Sequence, residues 1–255
     1  MIRSLSLLLV LFFCSNPLIV AQEQKLEKEE VVILGKGVKL DLVLIPAGKF
    51  VLGNIKIGPE VTITKPFYMG KYEVTQEQWF EIMGENPSHY KGRRLPVTNV
   101  SWKDCQDFIN KLNKLDPFSN QNFRLSTEAE WEYSCRAGTV TKYWFGDKII
   151  AEDANWGDSS TKNIVPVGSY KPNPFGLYDM HGNVREWCGD LRGDYPSTPV
   201  FDPKGPTKMS GESYYVQRSS AFYSSNPIVH ASSYRSMGKS DEKDKGLGLR
   251  LVLIK

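Results

Sequence analysis

The stretch from residue 176 to residue 190 constrains the fold more than any other part of the sequence. It contains the turn formers Gly176, Gly182 and Asn183, and its acidic residues are spaced a few positions apart. Asp179 and Glu186 can both direct oxygens at one cation, with carbonyl groups of the turn between them completing the shell. Calcium takes about six to eight oxygen ligands, several of them backbone carbonyls. The stretch therefore indicates either a calcium-binding turn or a tight turn whose acids are solvated.

The N-terminus has the pattern of a secretory signal peptide. Arg3 is followed by an apolar run from Leu5 to Phe13, and the small residue Ala21 precedes the first cluster of charges. This order of basic, apolar and small residues is typical of a cleaved leader. The apolar run is too short to cross a membrane. We therefore predict a signal peptide over residues 1–21 and an exported protein, secreted, periplasmic or at the cell surface, with no membrane span.

The charge balance and the cysteines narrow the classes of function. The formal net charge is +3 at pH 7, and the chain has no basic stripe, which argues against a nucleic-acid partner. Three cysteines follow the leader, Cys105, Cys135 and Cys188, and no two of them form a Cys-x-x-Cys pair. A thiolate zinc site is therefore not expected. Three cysteines allow at most one internal disulfide, and the sequence does not decide which two of them would pair.

Signals for helices and strands are clear in the first half of the chain. Residues 22–37 are rich in Glu and Lys with little periodicity, which indicates a flexible or edge segment. Strand patterns begin at Val38. Helices are predicted to open at Thr75, Ser101 and Thr127, because each of these capping residues precedes an apolar repeat of helical period.

The second half of the chain has few periodic runs. From Thr139 onward, Gly, Pro, Asn, Asp and aromatic residues are scattered until an alternating strand over 246–254. The many aromatic residues indicate irregular but packed structure, because a disordered chain lacks the apolar surface to offset the entropy of ordering. No linker and no internal repeat interrupts residues 38–255, so we predict one domain there.

Six motifs follow one another in the order found in a known family. They are Pro-Ala-Gly-Lys-Phe at 46–50, Tyr-Glu-Val-Thr at 72–75, segments 96–102 and 124–133, Ala-Asn-Trp at 154–156, and 166–190. Together they resemble the formylglycine-generating enzyme (sulfatase-modifying factor) family. The resemblance implies an α+β, C-type-lectin-like fold, formed by a single domain over 38–255 with much irregular structure and bound calcium.

The resemblance also implies which residues hold calcium. In the family a structural calcium is held where this chain has Asp179, the carbonyls of Gly182 and Val184, and Glu186. A second family site matches this chain at Asn155 and the carbonyl of Trp156. Its remaining ligands would fall near residues 158–161, where the loop is short and the match is poor.

The resemblance implies a chemistry whose residues are missing here. Family members oxidise a sulfatase cysteine to formylglycine with oxygen and copper, using two cysteines that follow a Gly-Gly-Ser-aromatic turn. The serine of that turn is Ala221 here, and the two cysteine positions fall at Ser224 and near Val229. Because soft sulfur ligands select Cu(I), neither copper nor a catalytic residue is expected. The family's typical partner for Cys135 is missing too, since residues 232–234 contain no thiol.

Two functional hypotheses follow. The first is a secreted, non-catalytic member of the family that binds a protein, glycan or envelope partner on a calcium-stabilised scaffold. The alternative is a formylglycine-generating, sulfatase-maturing oxidoreductase with an altered site. Copper binding and oxygen consumption distinguish the two, and the sequence does not identify the partner.

Overall fold

Three α-helices begin where side chains cap their first turn. The computed structural model describes residues 26–115, 122–159, 161–208 and 211–255. The helices are α1 (Gln76–Met83), α2 (Trp102–Leu112) and α3 (Glu128–Arg136). Each starts with a reciprocal capping box, formed by the pairs Thr75–Gln78, Ser101–Asp104 and Thr127–Glu130. Because such boxes satisfy backbone amides that have no partner within the helix, the predicted starts are confirmed.

The described residues form twelve strands in three sheets. One sheet has the order β1-β2-β5-β12-β6, the second β10-β9-β7-β11 and the third β3-β4-β8. The strands are β1 (Glu29–Gly35), β2 (Val38–Ile45), β3 (Gly48–Val51), β4 (Glu60–Ile63), β5 (Phe67–Gly70), β6 (Asn122–Leu125), β7 (Arg185–Leu191), β8 (Val200–Phe201), β9 (Tyr214–Arg218), β10 (Ser236–Lys239), β11 (Leu247–Leu249) and β12 (Leu251–Ile254). The mixed sheets with few helices confirm the predicted α+β class.

The last strand, β12, separates two hydrophobic cores. Leu251 and Leu253 belong to the core that packs against α1 and α2, whereas Val252 belongs to the core that contains Trp131 of α3. This division follows from the strand itself, since successive side chains point to opposite faces. The C-terminal residues are therefore central to the domain, between β5 and β6.

The strand predicted over 246–254 is divided in two. Leu247–Leu249 pairs in parallel with β7, while Leu251–Ile254 pairs antiparallel with β5 and β6. The chain changes sheets at Arg250, whose side chain is buried. The alternating pattern located the strand but did not reveal this change, because both halves have the same period.

The segment 22–37 differs in part from its prediction. Residues Glu29–Gly35 form β1, which pairs antiparallel with β2 at the edge of the five-stranded sheet. The edge interpretation is therefore correct for these residues and the flexible one is wrong. Val32 and Leu34 of β1 are buried in the first core, so the folded part of the chain begins before residue 38.

The irregular second half of the chain is packed. Trp156 and Tyr143 form one small buried cluster, and Val184 and Phe222 form another. A 3-10 helix, Pro227–His230, is the one regular element described between β9 and β10. No helix among the described residues is both long and apolar enough to cross a membrane. The predicted signal peptide, residues 1–21, lies outside the described residues.

Candidate functional site

A buried ion pair lies at the centre of the predicted calcium turn. Glu186 of β7 accepts from the guanidinium of Arg250, with Nη2 at 2.8 Å from Oε1 and Nε at 3.1 Å from Oε2. The indole of Trp131 donates to Oε2 at 2.7 Å. Arg250 also donates to the carbonyls of Gly70 and Tyr178. Both oxygens of Glu186 therefore already have partners within the protein.

Asp179, the other predicted side-chain ligand, has one free oxygen. Its Oδ2 accepts from the backbone N–H of Gly168 at 2.7 Å. Its Oδ1 is buried and has no hydrogen-bond partner among the described residues. Burial, with a smaller contribution from the nearby charge of Glu186, raises the pKa of Asp179 to about 6 against the opposing effects of the Gly168 N–H and Arg250. The backbone of Asp179 is left-handed, with φ of 59°.

A third carboxylate, Glu73, belongs to the same cluster and was not identified from the sequence. It follows β5 and is almost fully buried. Its oxygens accept from Asn183 Nδ2 at 2.7 Å and from the Val184 N–H at 3.1 Å, so that it holds the predicted calcium turn in place. Burial raises the pKa of Glu73 well above its usual value, with further contributions from Asp179 and Glu186. The sequence placed Glu73 in the Tyr-Glu-Val-Thr motif at 72–75, but its partners lie 110 and 111 residues further along the chain and were not predictable from the motif.

The charges of this cluster fit a cation, but the ligand oxygens are only partly free. Three buried carboxylates face one guanidinium, so a cation would reduce their repulsion. The Gly182 carbonyl accepts from the Ser219 hydroxyl at 3.2 Å. Within the described part of the chain, no three His, Cys, Asp or Glu side chains form a ready metal-binding group. The free oxygen of Asp179 is thus the first contact that a calcium ion would make.

The second predicted site does not fit a cation in this arrangement. Asn155 Oδ1 accepts from the hydroxyls of Ser159 and Thr161, each at 2.8 Å. The Trp156 carbonyl accepts from the Ser159 N–H at 2.7 Å. Two hydroxyl donors thus occupy the lone pairs of Asn155 Oδ1 that a metal would need, and no carboxylate among the described residues bonds to this group.

All three cysteines among the described residues are buried and unpaired. Cys105, Cys135 and Cys188 form no disulfide. Burial raises the pKa of each thiol, that of Cys135 to about 12. Because the thiolate is the nucleophile and the metal ligand, a raised pKa disfavours the reactive form of each of these thiols. Cys188 lies in the second core, 3.8 Å from the Ser126 hydroxyl.

The positions of the family's two cysteines lie in a partly exposed surface segment. Ser224 and Val229 are half-buried, in a turn and in the 3-10 helix respectively. The Ser224 carbonyl accepts from the Gly157 N–H and from Nε2 of His230, each at 2.9 Å. Ala221, at the position of the family's serine, is buried. The segment therefore keeps a fixed backbone while its side chains offer no soft ligand.

His181 is a structural residue in the same region. Its Nδ1–H donates to the His230 carbonyl at 2.8 Å, and its Nε2 accepts from the Trp144 N–H at 3.2 Å. Burial lowers the pKa of His181 to about 3. The neutral ring is held in one orientation beside Cys135, 3.7 Å from its sulfur, and has no free nitrogen for a metal.

Comparison with known proteins assigns the family. The family model described as "Sulfatase-modifying factor enzyme 1-like domain" matches residues 34–254. The chain belongs to this family. The sulfatase-modifying factor domain thus covers nearly the whole described chain, including all residues of the acidic cluster.

Relatives within the sulfatase-modifying factor family carry different names. The chain is 34% identical to the "Chaperone protein LppX" of Paenibacillus barcinonensis, over 62% of this chain and 74% of that protein. It is 30% identical to the formylglycine-generating enzyme of Mus musculus, over 68% of this chain but only 50% of that protein. Among solved structures, the "Treponema denticola variable protein 1" matches with a TM-score of 0.77 at 28% identity, over 89% of this chain and 99% of that one. The family therefore includes proteins named as enzymes and proteins that are not.

The raised pKa of Asp179 predicts a pH dependence of stability. Below about pH 4 the side chain is protonated in both the folded and the unfolded state. Between about pH 4 and 6 only the unfolded chain ionises, so the free energy of unfolding falls. In calcium-free buffer, Asp179→Asn should therefore be more stable than wild type at pH 7 by on the order of 1–3 kcal/mol, with little difference at pH 4.

Urea unfolding across this pH range measures the effect. Asparagine tolerates the left-handed backbone at this position, so the substitution changes charge with little strain. Asp241→Asn, at an exposed acid outside both predicted calcium sites, is the matched control and should show no such trend. Equal pH profiles for wild type and Asp179→Asn would contradict the prediction.

A disulfide should form if the missing thiol is restored. The side chain of Ser232 is buried next to the Cys135 thiol. Ser232→Cys should therefore oxidise to a bridge with Cys135 and raise the free energy of unfolding by about 2–4 kcal/mol. Peptide mapping without reductant and urea unfolding with and without reductant measure both effects. Ser232→Ala is the control, and a variant whose new thiol stays free in oxidising buffer would show that the two side chains are not aligned.

Proposed function

We propose that this chain is an exported, non-catalytic sulfatase-modifying factor domain that binds another protein. The observation that carries the proposal is the absence of thiols where the resemblance places the family's two cysteines, at Ser224 and near Val229. The sequence contains no cysteine after Cys188. A serine hydroxyl and a valine side chain do not bind Cu(I), which prefers soft sulfur ligands.

The remaining thiols do not replace the missing pair. Cys135 and Cys188 are buried in the second core and Cys105 in the first. Their raised pKa values keep them protonated at neutral pH. Among the described residues, a substrate cysteine would have no exposed thiol with which to react.

The scaffold is nevertheless complete. All three capping boxes, the buried pair of Glu186 with Arg250, and the turn held by Glu73 are present. Loss of the chemistry inside an intact scaffold is the pattern expected of a binding protein, because fold and activity are separable. A protein partner is favoured over a glycan because the relative LppX is named a chaperone.

Export and calcium form part of the same proposal. The basic, apolar and small residues of positions 1–21 support export. The free Oδ1 of Asp179 and the excess of three carboxylates over one guanidinium support a cation at the turn. In that case Asp179, Glu186 and the carbonyls of Gly182 and Val184 would hold it, with Glu73 positioning the turn.

Calcium should stabilise the protein through Asp179. A ligand at a hundred times its dissociation constant adds about 2.7 kcal/mol to the free energy of unfolding. EDTA should therefore lower the Tm of the wild type, and calcium should restore it. Asp179→Asn should lose most of this response, whereas the control Asp241→Asn should keep it. An unchanged Tm in EDTA, with no calcium by elemental analysis, would refute the calcium site.

The absence of formylglycine formation is the direct test of the non-catalytic assignment. Purified protein with Cu(I), oxygen and a peptide containing a Cys-x-Pro-x-Arg motif should give no mass change at the peptide cysteine. A family enzyme that retains both cysteines provides the positive control. Conversion above the level without enzyme, abolished in Cys188→Ala, would instead establish the alternative, a sulfatase-maturing oxidoreductase with an altered site.

A further inference from the structure

A large cleft lies apart from both the acidic cluster and the segment that lacks cysteines. Its volume is about 840 Å³, and its walls are the loops 53–59, 140–142 and 195–197. This volume lies within the range of about 300–1,000 Å³ that is usual for ligand sites. Neither Ser224 nor Val229 lines the cleft, and no predicted calcium ligand does. The cleft is therefore a separate candidate site.

The rim of the cleft is apolar and unusually exposed. The exposed fraction is 84% for Ile57, 67% for Val140 and 43% for Ile55. Isolated apolar residues on a surface need no explanation, but several on one cleft are typical of interaction sites. Burial of each of these apolar side chains against a partner would contribute favourable free energy to binding. The rim thus favours an occupant with apolar side chains.

Arg136 holds the cleft in its open shape. This arginine of α3 is almost fully buried in the floor. It donates to the Gly53 carbonyl of one wall and to the Thr141 carbonyl of another, each at 3.1 Å, and to Glu132 at 2.9 Å. Both loops are therefore tied to the same helix. A preformed cleft of this kind loses little conformational entropy on binding.

The floor carries an excess of positive charge. Behind it lies an arginine network that consists of Arg136, Arg218, Arg235, Glu128 and Glu132. Three guanidinium groups face two carboxylates in this network. The Nε atoms of Arg218 and Arg235 are buried and have no hydrogen-bond partner among the described residues. Arg136 is the one member of the network that lines the cleft, so an anionic group there would meet this excess through Arg136.

The two other charged residues that line the cleft do not cancel the positive charge of the arginine network. Lys142 and Asp147 both line the cleft, and their opposite charges balance. Asp147 is also engaged in its own loop, since its Oδ1 accepts from the Lys142 N–H at 3.0 Å. The Lys142 side chain is the one lining cation outside the arginine network. It can therefore meet a carboxylate that enters the cleft.

We infer that this cleft binds the C-terminal end of a partner polypeptide. The terminal carboxylate lies toward Arg136 and Lys142, and apolar side chains pack against Ile55, Ile57 and Val140. A peptide is favoured over a fatty acid because Ser197 and Ser233 also line the cleft and can pair with peptide amides. The inference rests on the proposed function, since it specifies how the binding protein engages its partner.

Fluorescence polarisation with labelled short peptides tests the inference. The peptides end in Val, Leu, Ile or Phe, and each is prepared with a free carboxylate and as the amide. Some free acids should bind, and their amides should bind at least about tenfold more weakly. Ile57→Ser and Val140→Ser, both at exposed positions, should weaken binding at least about tenfold. Lys142→Ala should reduce the difference between acid and amide.

Ile228→Ser is the matched control, because Ile228 is 67% exposed but does not line the cleft. It should bind the peptides as the wild type does. The inference is overturned if no free acid binds, if acids and amides bind equally, if Ile57→Ser has no effect, or if laurate binds and peptides do not. The formylglycine assay does not depend on the cleft, so failure of the proposed function remains distinguishable from failure of this site.

Discussion

The ion pair between Arg250 and Glu186 is the interaction on which the rest of the domain depends. Arg250 stands where the chain passes from one sheet to another, and its guanidinium also binds carbonyls of β5 and of the turn at Tyr178. Four separate parts of the chain therefore meet at one buried charge. Breaking such a pair by removing one partner typically costs about 3–5 kcal/mol, because the other charge is left buried and uncompensated. The same pair reduces the repulsion among Glu73, Asp179 and Glu186, which a cation at Asp179 would reduce further.

A second set of buried charges lies beside the first, since Arg218 of β9 is the strand partner of Glu186 on β7. Arg218 of β9 pairs with Glu132 of α3 and donates to the carbonyls of Ser232 and Tyr234. It thereby fixes the irregular chain that follows the 3-10 helix, a region that few strand or helix bonds hold. Arg136 extends the same network to the loops of the large cleft. Buried arginines thus supply hydrogen bonds to backbone carbonyls of irregular segments, where strand or helix bonds are few.

This arrangement explains how the residues at the family's cysteine positions can differ while the fold is kept. The positions of the missing cysteines lie in a partly exposed segment, outside both large cores. Replacing them leaves the two buried networks untouched. The buried charges and the two cores, which stabilise the fold, do not include these two positions.

The sequence by itself determined the features that depend on neighbouring residues. The three helix starts were predictable because each capping box joins residues three apart, and the absence of thiols near the C-terminus is a matter of composition. Only the tertiary structure revealed Glu73 as a member of the acidic cluster, the division of the last strand at Arg250, and the two hydroxyl groups that occupy Asn155. These features join distant positions: the bond from Arg250 to the Gly70 carbonyl spans 180 residues. Local patterns contain no information about such pairings, because what selects them is burial of charge in the folded chain.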